Sequence, residues 1–312
     1  MTSHSAVAGP PSGAGLPRHS PRLSARRRPL EAVIKKVLLL AAMLSVAITV
    51  GIIVALLFPA LDFFADVPLG EFFSFDDTAK FSVGPLIMAT LMTTVIALCV
   101  AVPLGLGAAM FLAEYASSRT RRILKPTVEL LAGVPSVVYG FFAVFFVTPW
   151  LLQDLLEIEV NFTNALAAGL VLGVMIIPTI ASLAEDALSA VPQAMRQGSF
   201  AMGANRMQTT VRVVFPAALS GIAAAVVLGL SRAVGETMIV ALAAGALKNS
   251  SLDPREGMQT MTGFMATTAG GENPVGSTSY NQLFAVGLTL FVITLVINII
   301  SIMLVRRFRQ VY

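Results

Sequence analysis

Six apolar stretches, each long enough to cross a lipid bilayer, constrain this chain more than any other feature. They lie at about 37–60, 84–113, 126–149, 164–184, 217–246 and 281–305. The hydrocarbon core of a bilayer is ~30 Å thick, so a helix rising ~1.5 Å per residue crosses it in ~20 apolar residues. All six are rich in Leu, Val, Ala and Ile and far longer than a strand. Inside lipid every backbone polar group must be satisfied within the protein. The expected fold class is therefore all-α: a polytopic membrane protein with six transmembrane helices. Composition agrees, since only 12% of the 312 residues are charged, against ~25% in a soluble domain.

Charge then orients the chain. The segments 1–36, 114–125, 185–216 and 306–312 carry 17 Lys and Arg, whereas 61–83, 150–163 and 247–280 carry only Lys80, Lys248 and Arg255. That bias places both termini in the cytoplasm, with the protein multi-pass in the cell inner membrane. Residues 1–36, with five prolines, read as a disordered basic cytoplasmic tail, and 37–60 as a retained transmembrane anchor rather than a cleaved signal. The net charge of +4 sits at membrane flanks, so no nucleic-acid partner is implied. Trp150 falls where an outer interfacial anchor is expected.

Several chemistries are excluded. The lone cysteine, Cys99, lies in an apolar run and reads as core filler. The only histidines, His4 and His19, are in the tail, so no His/Cys cluster has metal-ligand spacing. No GxxxxGK[ST] motif is present, so this chain alone does not hydrolyse ATP through a P-loop. No nucleophile–base set lies on an intramembrane face, which disfavours an enzyme.

Arg232 and Glu236 are the only charged residues between Ala217 and Ala246. A charge at membrane depth costs at least ~2.5–3.5 kcal/mol and normally faces a bundle interior, a partner charge or a water-filled cavity. Positions i and i+4 share a helix face, so the two can pair. Either they form an internal ion pair that locks helix packing, or they line a solute passage.

Other candidates also have two readings. Glu129, after Lys125-Pro126, is either an acid at a helix N-terminus or part of a cytoplasmic gate. Gly133-Val134-Pro135-Ser136 is either a helix break along the path, with Pro135 and Ser136 lining it, or a site of close packing. Arg119, Arg121, Arg122 and Lys125 serve topology or contact anionic membrane lipid. The loop 185–216 is an interfacial connector or a docking knob made of two short helices bent at Gly203.

The spacing in that loop resembles the EAA loop of ABC-importer permeases. Here it runs Gln197-Gly198-Ser199, then Gly203, then Val213, Phe215 and Pro216. The usual Glu is Gln197 and the middle Ala is Gly198, so a carboxylate is lost while the Gly and Pro positions fit. Further blocks, VELLAGVPSVVYGFFAVFF (128–146), AEDALSAVP (184–192) and LSRAVGETMIVALAAG (230–245), resemble phosphate-specific import permeases of the PstC type. The resemblance implies a MetI-like ABC-importer permease bundle over 80–306, with the coupling loop at 185–216 and a cytoplasmic C-terminus at 307–312. It further implies that Gln197, Gly198, Ser199, Gly203 and Pro216 couple the chain to a separate ATPase. The implied partners are a second permease subunit in a heterodimer, an ATPase homodimer, an extracytoplasmic phosphate-binding protein and phosphate itself. No cofactor is implied in this chain; ATP and Mg would be bound by the partner ATPase. Alternatives are a permease for sulfate, molybdate or a phosphonate, the paralogous second half of the same transporter, an ATPase-independent channel, or an anchoring protein without a pathway.

Overall fold

A computed structural model of the chain describes residues 29–307; the expected tail (all but its last few residues) and the last five residues lie outside them. Among the described residues the structure is helical, without a strand. Contacts divide the chain into two compact units, up to Ile52 and from Ile53 onwards. The boundary falls within the first helix, α1 (Pro29–Asp66), which is longer than the apolar stretch 37–60 at both ends. In the first unit the side chains described from Ala32 to Gly51 are exposed, and they are apolar from Val37 to Val50 apart from Ser45 and Thr49.

The second unit holds the bundle. After the short α2 (Leu69–Phe72) come α3 (Gly84–Met110), α4 (Ser118–Leu131) and α5 (Ser136–Phe142). Then follow α6 (Ala165–Ser189), α7 (Gln193–Ala201), α8 (Arg206–Thr209) and α9 (Phe215–Val234). The short α10 (Met238–Ala243) and α11 (Met261–Ala269) precede α12 (Thr278–Arg307). Wider π-helical turns extend α3 to Tyr115, extend α5 to Leu155 and join α8 to α9. Among the described residues six helices are long and apolar enough to cross a membrane: Ala32–Asp66, Gly84–Tyr115, Ser136–Leu155, Ala165–Ser189, Arg206–Val234 and Thr278–Met303.

Two spans differ from the sequence reading. The stretch 126–149 is not one helix: α4 ends at Leu131 and α5 begins at Ser136. Pro135 disfavours helical geometry at the residue before it, and Gly133 adds freedom there. The stretch 217–246 also breaks, between Val234 and Met238. Hydropathy alone detects neither break, because both segments stay apolar.

The most buried span is α6. Small residues let its neighbours approach, as expected for packing in lipid. A Cβ on Gly169 would lie 2.7 Å from Ile96 Cβ on α3, and one on Gly173 would lie 2.8 Å from the Ala97 carbonyl oxygen. On the other side, a Cβ on Gly229 of α9 would meet Ile180 Cδ1 at 2.9 Å. The helix α6 is thus held between α3 and α9, and the site residues hang from this frame. A second core joins the end of α1 to α12 through Ala60, Phe63, Phe72, Ala285 and Val286. At the far end of the bundle from α7 and α8, Lys248 ties two loops by donating to the Lys80 and Ala79 carbonyls at 2.6 and 3.3 Å. Burial pushes its ammonium below the ordinary lysine value.

Candidate functional site

Arg232 occupies the last turn of α9, 17 positions beyond Phe215, or ~25 Å along an ideal helix. Its side chain is exposed on the isolated chain, and Nη1 lies 3.4 Å from Thr179 Oγ1 on α6. It does not pair with Glu236. The helix stops at Val234, Gly235 and Thr237 carry the chain around a bend, and Glu236 turns to cap the next helix. Glu236 Oε1 accepts from the Met238 and Ile239 amides at 3.1 and 3.4 Å. Its carbonyl accepts from Thr262 Oγ1 at 2.6 Å, which fixes the bend to α11. Arg232 and Glu236 do not share a helix face at i and i+4, because the helix between them is broken.

The break between α4 and α5 faces the same helices. Tyr139 donates across it to the Leu131 carbonyl at 2.9 Å. A Cβ on Gly140 would sit 2.7 Å from Leu242 Cδ1, so α5 packs directly on α10. Pro135 is exposed and precedes α5, and Ser136, half-buried, begins it. Glu129 is not in a first helical turn as expected. Ser117 caps α4, accepting from the Thr120 amide at 3.1 Å, and the helix passes through Pro126, so Glu129 falls in its last turn. There its carboxylate receives a 3.4 Å hydrogen bond from Ser182 on α6.

Sequence reasoning missed the role of α6. Thr179, Ser182 and Asp186, at i, i+3 and i+7, form one stripe on this apolar helix. They meet Arg232, Glu129 and Lys125 in turn. The detectable signal was polar residues at helical spacing inside an apolar run.

The basic cluster does more than set topology. Glu185 is fully buried on α6, and Lys125 Nζ lies 2.6 Å from its Oε2 and 2.7 Å from Asp186 Oδ1. Arg121 pairs with the other Glu185 oxygen and donates to Ser189 Oγ at 3.1 Å. The Asp186 and Glu185 carboxylates hold the Lys125 ammonium above its ordinary value.

The loop 185–216 folds as two short helices, α7 and α8, forming a knob. Gly203 has φ +82°, the left-handed conformation that favours glycine, and separates α7 from α8. Asn205 then starts α8 with a reciprocal capping box, exchanging bonds with Gln208 at 2.9 and 3.0 Å. Ser199 Oγ lies 2.9 Å from Thr209 Oγ1 and pins the two helices together. Gln197 and Gly198 are exposed on α7. Pro216 lies in the first turn of α9, after a π-helical turn that relieves the bond it cannot donate. Phe200, Met202 and Met207 are exposed around the bend, Met202 by 88%.

Arg196 roots this knob, and sequence reasoning did not single it out. It is nearly buried, pairs with Glu114 at 2.8 Å and donates to the Leu188 carbonyl at 2.8 Å and to that of Val191. Its charge thus sits at the C-terminal end of α6, where a cation is favourable.

The comparisons fit this architecture. The family described as "Binding-protein-dependent transport system inner membrane component" matches residues 101–310. A probable ABC transporter permease protein of Bacillus subtilis is 36% identical over 231 residues, which is 74% of this chain and 72% of the relative. Phosphate transport system permease protein PstC 1 of Mycobacterium tuberculosis is 37% identical over 250 residues, covering 73% of each chain. PstC of Haemophilus influenzae is 34% identical over 241 residues, 72% of this chain and 76% of its own. Among solved structures, a bacterial ABC transporter involved in the import of the acidic polysaccharide alginate aligns at TM-score 0.63 and 18% identity, over 90% of this chain and 99% of that one. The inward-facing MetNI methionine ABC transporter aligns at TM-score 0.55 and 20% identity, over 73% and 94%. At these identities the two structures speak for the fold alone, a MetI-like permease bundle. The chain belongs to the binding-protein-dependent transport system inner membrane component family and is a multi-pass permease of an ABC importer.

Proposed function

We propose that this permease translocates inorganic phosphate inward across the inner membrane, with both termini in the cytoplasm. The observation that carries this reading is Arg232, a guanidinium at membrane depth that Glu236 does not neutralise. It stands where α9 breaks, and substrate sites in transporters commonly form at broken helices. A planar fork beside the Thr179 hydroxyl matches an oxyanion bidentately. The anion then passes along the α6 stripe. Glu129, below the cation, opposes a negative solute, so the anion is attracted without being trapped; conduction needs that balance. Similarity to relatives named as phosphate permeases at 34–37% identity supports the choice of anion.

The knob of α7 and α8 serves as the docking element for a separate ATPase that binds ATP and Mg. Water-exposed Phe200, Met202 and Met207 support this, since an apolar patch on a projecting loop marks an interaction site. The exposed face around Arg232 is where a second permease subunit would complete the passage, and an extracytoplasmic binding protein would deliver phosphate to the opposite end. The test is uptake of labelled phosphate, normalised to folded complex. Arg232→Gln should abolish it and Arg232→Lys should rescue poorly. Sulfate, molybdate and phosphonate competitors read the selectivity, and normal uptake by Arg232→Gln would overturn the assignment.

A further inference from the structure

A cavity of about 450 Å³ lies where the knob joins the bundle, away from Arg232. Glu114, Arg121, Ser189, Gln193, Arg196 and Arg206 line it. Three guanidiniums face one carboxylate across it, and among the described residues Glu185 behind Arg121 supplies the only further negative charge paired with them. The cavity keeps a net positive charge.

The donors are unequally committed. Arg196 spends Nε, Nη1 and Nη2 on Glu114 and on two carbonyls. Among the described residues Arg121 engages only Nη2, which leaves Nε and Nη1 without a partner there. Arg206 makes no side-chain hydrogen bond among the described residues and only stacks its guanidinium 5.3 Å from the Tyr115 ring centre. Gln193 is exposed and its amide is likewise unengaged. Two forked cations and an amide with free N–H groups are chemically matched to one tetrahedral oxyanion.

The geometry points to a second anion site here, on the cytoplasmic side, for a phosphate-type oxyanion held between Arg206 and Arg121. The ligand is either free inorganic phosphate or the phosphomonoester headgroup of a membrane lipid. Arg206 opens α8 while Arg121 belongs to α4, so a bound anion ties the knob to the bundle and restrains the element proposed to meet the ATPase. The site does not depend on what the chain transports.

The test is hydrogen exchange over residues 189–210 of the full-length chain, in complex with its co-expressed partners, in neutral phosphatidylcholine nanodiscs. Inorganic phosphate is titrated in one arm, and phosphatidic acid is added to the bilayer in the other. Sodium chloride at matched ionic strength is the control. Arg206 is exposed, so Arg206→Gln leaves the fold intact. Slowed exchange with either probe, persisting in Arg232→Gln and weakened roughly tenfold or more in apparent affinity by Arg206→Gln, supports the site. A response to phosphate alone identifies the free anion, and one to phosphatidic acid alone identifies the headgroup. Arg206→Lys should fall between wild type and Gln. Protection insensitive to Arg206→Gln, or reproduced by sodium chloride, overturns the proposal. So does the absence of protection by both probes. None of these outcomes bears on Arg232, so failure here is distinct from failure of the transport assignment.

Discussion

The guanidinium of Arg196 lies 2.8 Å from the carboxylate of Glu114, 82 positions earlier in the chain, and both side chains are almost completely buried. This pair, together with the Leu188 and Val191 carbonyls, roots the α7–α8 knob in the ends of α3 and α6. Removing one partner of a buried pair leaves an uncompensated charge and costs ~3–5 kcal/mol. Arg196→Met and Glu114→Met should each lower the thermal stability of the purified subunit by about that amount. The double Met variant should recover a large part of the loss, because two apolar groups of similar volume leave no orphan charge. A double-mutant cycle by thermal unfolding checks this; strictly additive losses would show that the pair does not act as a unit.

Gly203 separates a backbone effect from a packing effect. A Cβ added there meets nothing within 4 Å, so its φ of +82° is the only obstacle to substitution. A β-branched residue in that conformation costs ~1–2 kcal/mol, whereas Asn visits it readily. Gly203→Val should therefore misplace α8 and, if the knob is the proposed docking element, reduce co-purification of the proposed partner ATPase several-fold, while Gly203→Asn should retain it. Equal recovery with both variants would mean that the bend does not need the left-handed conformation.

Packing of α6 on α3 makes a different prediction. A Cβ on Gly173 would lie 2.8 Å from the Ala97 carbonyl oxygen and 2.9 Å from Val100 Cβ. Gly173→Ala should destabilise by ~1–3 kcal/mol through overpacking. Gly107, inside α3, has open space around it, so Gly107→Ala should be neutral or stabilise by up to ~1 kcal/mol through helix propensity. Detergent-resistance melting of the two variants tests the contrast. A Gly173→Ala subunit as stable as wild type would mean that the two helices sit further apart than described.

The six spans and the knob were legible because they rest on signals local in the sequence: long apolar runs, Gly203 in the loop, and Pro216 opening α9. What stayed hidden depended on contacts between distant segments. Nothing near Arg196 in sequence indicates Glu114, and nothing near Arg121 or Lys125 indicates the buried Glu185 some 60 positions on. The helix breaks were partly visible. Gly133-Val134-Pro135 announces one, but Gly235 in an apolar run reads as an ordinary interior glycine, and a continuous α9 wrongly placed Arg232 beside Glu236. Tertiary satisfaction of the freed backbone, through the Glu236 side chain and Thr262, is what permits that break.

The separation of Arg232 from Glu236 changes what their variants should do. Glu236 is a helix cap here, accepting from two amides of α10. Gln keeps an accepting oxygen, so Glu236→Gln should transport nearly as well as wild type. Glu236→Leu removes the cap and should cost ~0.5–2 kcal/mol of stability with a matching fall in subunit abundance. Arg232→Gln should be silent in abundance and inactive in uptake, because it removes a charge that has no ionic partner among the described residues. The double variant Arg232→Gln/Glu236→Gln should then transport no better than Arg232→Gln alone. Phosphate uptake per folded complex, measured for the four proteins together, decides between the two roles. Recovery of transport in the double variant would show that the charges do pair at some point in the cycle, and that the passage does not rely on an unneutralised Arg232.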